Sequence, residues 1–169
     1  MNNRPAMHLL ERQIILDASP DEVWAFLSTP VNLNELTPPD LHFQILSEVP
    51  AQMYDGLTIL YEIQIPLFGK RRWLTEIKHI QAGAFFVDEQ RLGPYKLWYH
   101  QHRIERFEGE RTRMTDRVVY QLPFGVLGSL VDKFWVRQML ESIFDYRARR
   151  LLELFGPSGS ATQPEQPLP

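Results

Sequence analysis

Two histidines one residue apart stand in the segment VDEQRLGPYKLWYHQHRI (87–104), and both share a strand face with a tryptophan. Side chains on a β-strand alternate between faces, so Trp98, His100, His102 and Ile104 point together while Tyr99, Gln101 and Arg103 point away. Taking the tryptophan as inward carries both imidazoles into the interior. In RTRMTDRVVYQL the arginines favour water, so Met114, Asp116, Val118 and Tyr120 form the inner set. In AFFVDEQR, antiparallel pairing and an outward Arg91 turn Asp88 and Gln90 inward. Neighbouring strands lie ~4.8 Å apart, close enough for His–Asp hydrogen bonds. A carboxylate buried without a partner costs several kcal/mol, so each aspartate is expected to meet an imidazole.

Four kinds of chemistry are open to this group. It can be a satisfied polar network that closes one end of the fold and fixes strand register. It can be the polar end of an apolar ligand cavity, with the imidazoles and Tyr120 orienting a carbonyl, hydroxyl or carboxylate. It can be a general acid–base pair, with His100, His102 and Asp116 as the catalytic candidates. His-x-His with Asp88 or Asp116 can also hold a metal, but the spacing is common and no third histidine is clearly placed, so no metal site is assigned. His8, His42 and His79 occur singly and receive no role. The chain has no cysteine, which excludes thiolate catalysis and cysteine-bound metal. No Gly-x-Ser-x-Gly element is present, and Gly125 and Gly128 lie in too apolar a setting for a phosphate loop. No cofactor is expected.

The elements that must position these residues follow from local signals. A first strand, MHLLERQIIL, stops at DASPDEVWAFLSTP, where Ser19 is a candidate N-cap, Pro20 opens the helix and acids follow. VNLNELT reads as a second short helix ending at Pro38-Pro39. From 41 to 122 the pattern is six strands: LHFQILSEV, GLTILYEIQI, RRWLTEIKHI, AFFVDEQR, YKLWYHQHRIERF and RTRMTDRVVYQL. The turn signals between them make an antiparallel meander. The last element, 126–155, is one long helix with Leu127, Val131, Phe134, Met139, Ile143 and Tyr146 at helical spacing. Arg147, Arg149 and Arg150 lie near its C-terminal part, as the helix dipole favours. Its apolar stripe must be buried, and a curved sheet is the only large partner.

The bulk properties agree with a single domain over 1–155. The 169 residues are 44% hydrophobic and 23% charged, a globular balance rather than a disordered one. A net charge of −3 gives no general attraction to nucleic acid. No run of ~18 apolar residues suggests a membrane span. The N-terminus lacks a signal-peptide core, so a cytoplasmic location is expected. The tail, 156–169, is proline-rich with almost nothing to bury and reads as disordered.

The order of elements, with SPDEVWAFLSTPVNLNELTPP and VDEQRLGPYKLWYHQH, resembles the SRPBCC or START-like superfamily, which includes the birch-pollen-allergen type and polyketide cyclases. The resemblance covers about residues 6–155 and points to an uncharacterised bacterial branch. It implies an α+β helix-grip fold: a seven-stranded curved antiparallel sheet around a long C-terminal helix, with two short helices after the first strand. It also implies a hydrophobic ligand pocket, without carrying over a catalytic set. The leading expectation is a domain that binds a small, largely hydrophobic molecule. Phe134, Met139 and Ile143 would form the roof, and Ile59, Tyr61, Trp73, Trp98, Met114 and Val118 the walls. The polar end would be Asp88, Gln90, His100, His102, Asp116 and Tyr120. One alternative is a cofactor-independent cyclase, dehydratase or isomerase using a His–Asp pair. Another is a pocketless module serving a partner enzyme such as a nucleotide-sugar epimerase-like protein. The oligomeric state is not legible in the sequence.

Overall fold

The computed structural model describes residues 7–66, 69–123 and 135–156. Strand β1 (His8–Leu16) leads into helix α1 (Pro20–Leu27). Local chemistry sets the start of α1. The Glu22 backbone N–H donates to Ser19 Oγ at 3.3 Å, and the Ser19 backbone N–H donates to the Glu22 carboxylate at 2.9 Å. This reciprocal capping box, with Pro20 in the first turn, satisfies donors that would otherwise be orphaned. The second short helix is a 3-10 helix, Pro30–Leu36, and a single 3-10 turn, Pro39–Leu41, follows it.

Strand β2 is only Gln44–Ile45, shorter than the strand expected over 41–49. Leu41 belongs to the 3-10 turn, and His42 takes a left-handed φ of 42°. Beyond Ile45 the ladder ends because the backbone N–H groups of Leu46 and Ser47 both donate to the Leu60 carbonyl, at 2.8 and 3.2 Å. The remaining strands are β3 (Thr58–Ile65), β4 (Gly69–Gln81), β5 (Phe85–Leu92), β6 (Leu97–Phe107) and β7 (Arg111–Gln121). All seven form one antiparallel sheet in the order β1-β7-β6-β5-β4-β3-β2. The meander thus runs from β2 to β7, and β1 closes onto its far edge. Gly83 and Gly109, at φ 79° and 75°, supply the left-handed residues of the β4–β5 and β6–β7 turns.

Register carries the expected polar set into line. Asp88 on β5 pairs with His100 on β6, and His102 pairs with Asp116 on β7. Trp98, His100, His102 and Ile104 are all buried, as are Met114, Asp116, Val118 and Tyr120. The phases read from alternation in these two strands are therefore those of the folded sheet; on β5, Val87, expected outward, is fully buried.

The described part of the C-terminal helix, α2 (Arg137–Phe155), buries Leu140, Phe144, Arg147 and Leu151, a 4-3-4 spacing that marks one helical stripe. Met139 and Ile143 flank that stripe, half-buried. Leu127, Val131 and Phe134 of the expected stripe lie outside the described residues, as do residues 157–169 of the expected tail. Two contacts fix the helix end: the Asp17 backbone N–H donates to the Phe155 carbonyl at 2.7 Å, and Arg150 Nη2 meets Glu35 at 3.0 Å. No helix among the described residues is long and apolar enough to cross a membrane.

The interior divides in two. One apolar cluster holds Leu16, Val23, Leu36, Ile104, Met114 and Leu151. The other holds Ile59, Tyr61, Trp73, Tyr95, Trp98, Phe144 and their neighbours. In sequence along β6, β7 and α2, the residues between the two are His100, His102, Asp116 and Arg147.

Candidate functional site

The polar layer is a closed ring of two imidazoles and two carboxylates. His100 sets Nδ1 3.0 Å from Asp88 Oδ2 and Nε2 3.1 Å from Asp116 Oδ1. His102 repeats the bridge, with Nε2 2.8 Å from Asp88 Oδ2 and Nδ1 2.8 Å from Asp116 Oδ1. The i, i+2 spacing on β6 makes this possible, because it puts both rings on one face with centroids 3.8 Å apart. Outer groups hold the ring in place. Arg147 Nε donates to Asp116 Oδ2 at 3.2 Å, the Trp98 indole N–H donates to Asp88 Oδ1 at 3.1 Å, and Phe86 stacks on His102.

Electrostatics keep the carboxylates charged. Burial opposes the charge on Asp88, but His100 and then His102 overcome it and hold this carboxyl far below the usual range. Burial opposes the charge on Asp116 as well, and Arg147 with the two imidazoles holds it well below the usual range. Burial also disfavours a charged His100, yet Asp88 and Asp116 raise it above the ordinary histidine value. Nearby, burial and then the Asp88 charge push the Tyr61 phenol well up.

A cavity of about 180 Å³ lies between the sheet and α2. Water needs roughly 10–15 Å³ of such space, so the volume suits several waters or a small organic molecule. Of the expected wall and roof residues, Ile59, Tyr61, Trp73, Trp98, Met139 and Ile143 line it. Asp88, His100 and His102 form its polar wall, joined by Arg147. The Trp73 indole nitrogen is buried without a hydrogen-bond partner among the described residues. Each ring nitrogen of the two histidines stands within 3.1 Å of a carboxylate oxygen, and the Nε2 of each makes the hydrogen bond.

Five expected residues do not line the cavity, and Phe134 lies outside the described residues. Gln90 is occupied by the β5–β6 turn, donating to the Tyr95 carbonyl at 2.6 Å and accepting the Tyr95 N–H at 3.2 Å. Asp116 sits behind the imidazoles. Met114 belongs to the aliphatic cluster, of which only Leu36 reaches the cavity, and Val118 is fully buried in the sheet wall. Tyr120 stacks on His8 at 5.2 Å, behind Tyr95 and Trp98. Residues on one sheet face share a direction but not a depth: on β7, Tyr120 lies against Tyr95 and Trp98, Asp116 against the imidazoles and Met114 in the aliphatic cluster.

Sequence reasoning missed Tyr95, Leu140, Phe144 and Arg147, all of which line the cavity. Arg147 had a usable signal. It stands seven residues after Leu140 and four before Leu151, on the buried stripe rather than among the exposed arginines. A buried arginine there demands a carboxylate, and Asp116 was the available one.

Residues 14–155 match the family described as "Domain of unknown function (DUF8410)". No curated protein matches the sequence. Among solved structures, a START superfamily protein from Mycobacterium smegmatis aligns with 87% of this chain and 99% of its own, at 13% identity and a TM-score of 0.62. The Zhui aromatase/cyclase from Streptomyces sp. R1128 aligns over 88% and 93%, at 16% identity and a TM-score of 0.62. A nucleoside-diphosphate sugar epimerase from Corynebacterium glutamicum aligns over 85% of this chain but only 28% of its own, at 20% identity and a TM-score of 0.62. At these identities the likeness is one of fold: the chain has the START-like helix-grip architecture, with seven antiparallel strands and a C-terminal helix.

Proposed function

The chain belongs to the DUF8410 family, and we propose that it binds a small, largely apolar molecule in the cavity between its sheet and α2. One observation carries the reading: a cavity with largely apolar and aromatic walls meets a single charged wall of Asp88, His100, His102 and Arg147. Such a cavity gives affinity through apolar burial, at about 25 cal/mol per Å² before the costs of ordering the partners. The charged wall gives orientation. The Trp73 N–H supports the same reading, since a buried donor left unpaired costs roughly 1–3 kcal/mol and a ligand acceptor would satisfy it.

The test is native mass spectrometry on freshly purified protein, with a denaturing run on the same sample. Purified protein is then titrated with an uncharged apolar fluorophore, read by quenching of Trp73 and Trp98. A mass excess lost on denaturation, or saturable quenching, is expected. An unmodified mass together with no quenching overturns the reading.

A second reading rests on the His–Asp pairs in the cavity wall. Such pairs suit proton transfer in a cyclisation, dehydration or isomerisation, and one similar fold belongs to an aromatase/cyclase. Replacing His100 or His102 with Gln separates the two readings. A binder keeps its affinity within about tenfold (~1.4 kcal/mol), whereas an acid–base enzyme loses ~100-fold or more in turnover of the released molecule. The cavity supports either small-molecule reading over a pocketless module for a partner enzyme.

A further inference from the structure

The histidine–aspartate ring has a property beyond hydrogen bonding: three of its donor atoms converge. His100 Nδ1 and His102 Nε2 stand over the same oxygen, Asp88 Oδ2, at 3.0 and 2.8 Å. One ligating atom from each of the three residues lies within 4.8 Å of the others. Atoms bound ~2.1 Å from one ion are about 3.0 Å apart at right angles and about 3.4 Å apart in a tetrahedron. The His100 Nδ1–Asp88 Oδ2 separation matches the right-angle spacing, and the His102 Nε2–Asp88 Oδ2 separation falls just short of it. We propose that Asp88, His100 and His102 form a divalent-metal site in the cavity wall, taking a first-row transition ion and leaving its remaining coordination positions open to the cavity.

The outer contacts are those a metal site needs. Metal-bound histidines hold their orientation by donating the second ring N–H to a carboxylate. Here His100 Nε2 hydrogen-bonds Asp116 Oδ1 at 3.1 Å, His102 Nδ1 lies 2.8 Å from the same oxygen and 3.4 Å from Arg147 Nη2, and Arg147 Nε donates to the other oxygen of that aspartate at 3.2 Å. Asp88 is held the same way. Its Oδ1 accepts from the Trp98 indole N–H, which leaves Oδ2 for the ion.

The placement of the hydrogens points in the same direction. Each imidazole hydrogen-bonds one carboxylate through Nε2, His100 to Asp116 Oδ1 and His102 to Asp88 Oδ2. A neutral His100 that donates through Nε2 turns the lone pair of Nδ1 toward Asp88 Oδ2, 3.0 Å away, a contact that a cation between the two atoms would relieve. A divalent ion there would also take the place of the His102 hydrogen on Asp88 Oδ2, leaving both rings neutral and His102 Nδ1 2.8 Å from Asp116 Oδ1. Two imidazoles, one carboxylate and no thiolate select Zn²⁺, Co²⁺, Fe²⁺ or Mn²⁺ over Cu(I). The inference goes beyond the ligand reading and does not require an organic molecule in the cavity.

The full-length chain, stripped with a chelator, is titrated with Co²⁺ and Zn²⁺ and read by cobalt visible absorption, calorimetry and thermal unfolding. One equivalent per chain is expected, with a raised Tm. Asp88→Asn and His102→Gln should each weaken binding by more than about 100-fold, and Asp116→Asn by ~10–100-fold, as for an outer-shell change. In case a variant fails to fold, ¹⁵N-histidine NMR of the wild type with Zn²⁺ reads the site directly. The ring signals of His100 and His102 should move, and those of the exposed His42 and His79 should not. Absence of stoichiometric binding to the wild type overturns the proposal. So does binding that survives in folded Asp88→Asn and His102→Gln, or that moves His42 or His79 instead.

Discussion

On one side of the His100–His102–Asp116–Arg147 layer, Leu16, Val23, Leu36, Ile104, Met114 and Leu151 pack at 0–4% exposure. On the other, aromatic rings dominate. Trp73 lies 5.8 Å from Tyr61, 5.5 Å from Tyr95 and 5.2 Å from Trp98, and Tyr95 lies 4.9 Å from Trp98. Both regions draw on β1, β6, β7 and α2, while β3, β4 and β5 contribute only to the aromatic one. The aliphatic chains pack to near-complete burial, whereas the rings of the second region, Trp73 and Trp98 edge to face and Trp73 and Tyr61 stacked, border the cavity. One end of the grip is therefore solid and the other hollow. The charged layer marks the border, and its cost is met by pairing every charge within it.

The largest expected effect lies at that border. Arg147→Ala leaves Asp116 without its guanidinium partner and should cost about 3–5 kcal/mol in denaturant unfolding. A loss under ~1 kcal/mol would show that the two ends do not depend on the layer. Next comes a matched pair of truncations. Leu151→Ala at the solid end opens a new void and should cost ~2–5 kcal/mol. Ile143→Ala borders space that is already empty and half-buried, so only the transfer loss of about 1 kcal/mol applies. Equal losses at the two positions would erase the distinction between solid and hollow. Ser19→Ala, remote from both ends, should cost ~0.5–1 kcal/mol through the cap alone and leave probe binding in the cavity unchanged.

The smallest effect is the acid response of that same cap. The hydroxyl and backbone N–H of Ser19 hold the Glu22 carboxyl below its ordinary value. A depressed folded value means the contribution is present above the ordinary glutamate range and is lost as the pH falls through the lowered value. Glu22→Gln should flatten this part of the pH–stability curve. An unchanged curve would show that the box contributes no charge-dependent stability.

Much of the site is legible in single segments. Alternation in KLWYHQHRI and RTRMTDRVV orients Trp98, His100, His102, Met114 and Asp116, and the pairing of each aspartate with an imidazole follows from the cost of burying it alone. Gln90 and Tyr120 show where such reading stops. Both obey their strand's phase, yet one is taken up by a turn carbonyl and the other lies behind an aromatic layer. Arg147 shows a different limit, because three arginines at a helix end look alike until the buried stripe is traced through the first of them.

The sequence by itself determined the strand phases, the capped start of α1 and the stripe of α2, because periodicity and capping are decided within a few residues along the chain. Only the tertiary structure decided that both imidazoles bridge the same two carboxylates, and that Arg147 closes on Asp116 from 31 residues away. It also decided which residues of one face border empty space. Those outcomes depend on how far α2 sits above the sheet and on what covers each strand, distances that no local pattern encodes.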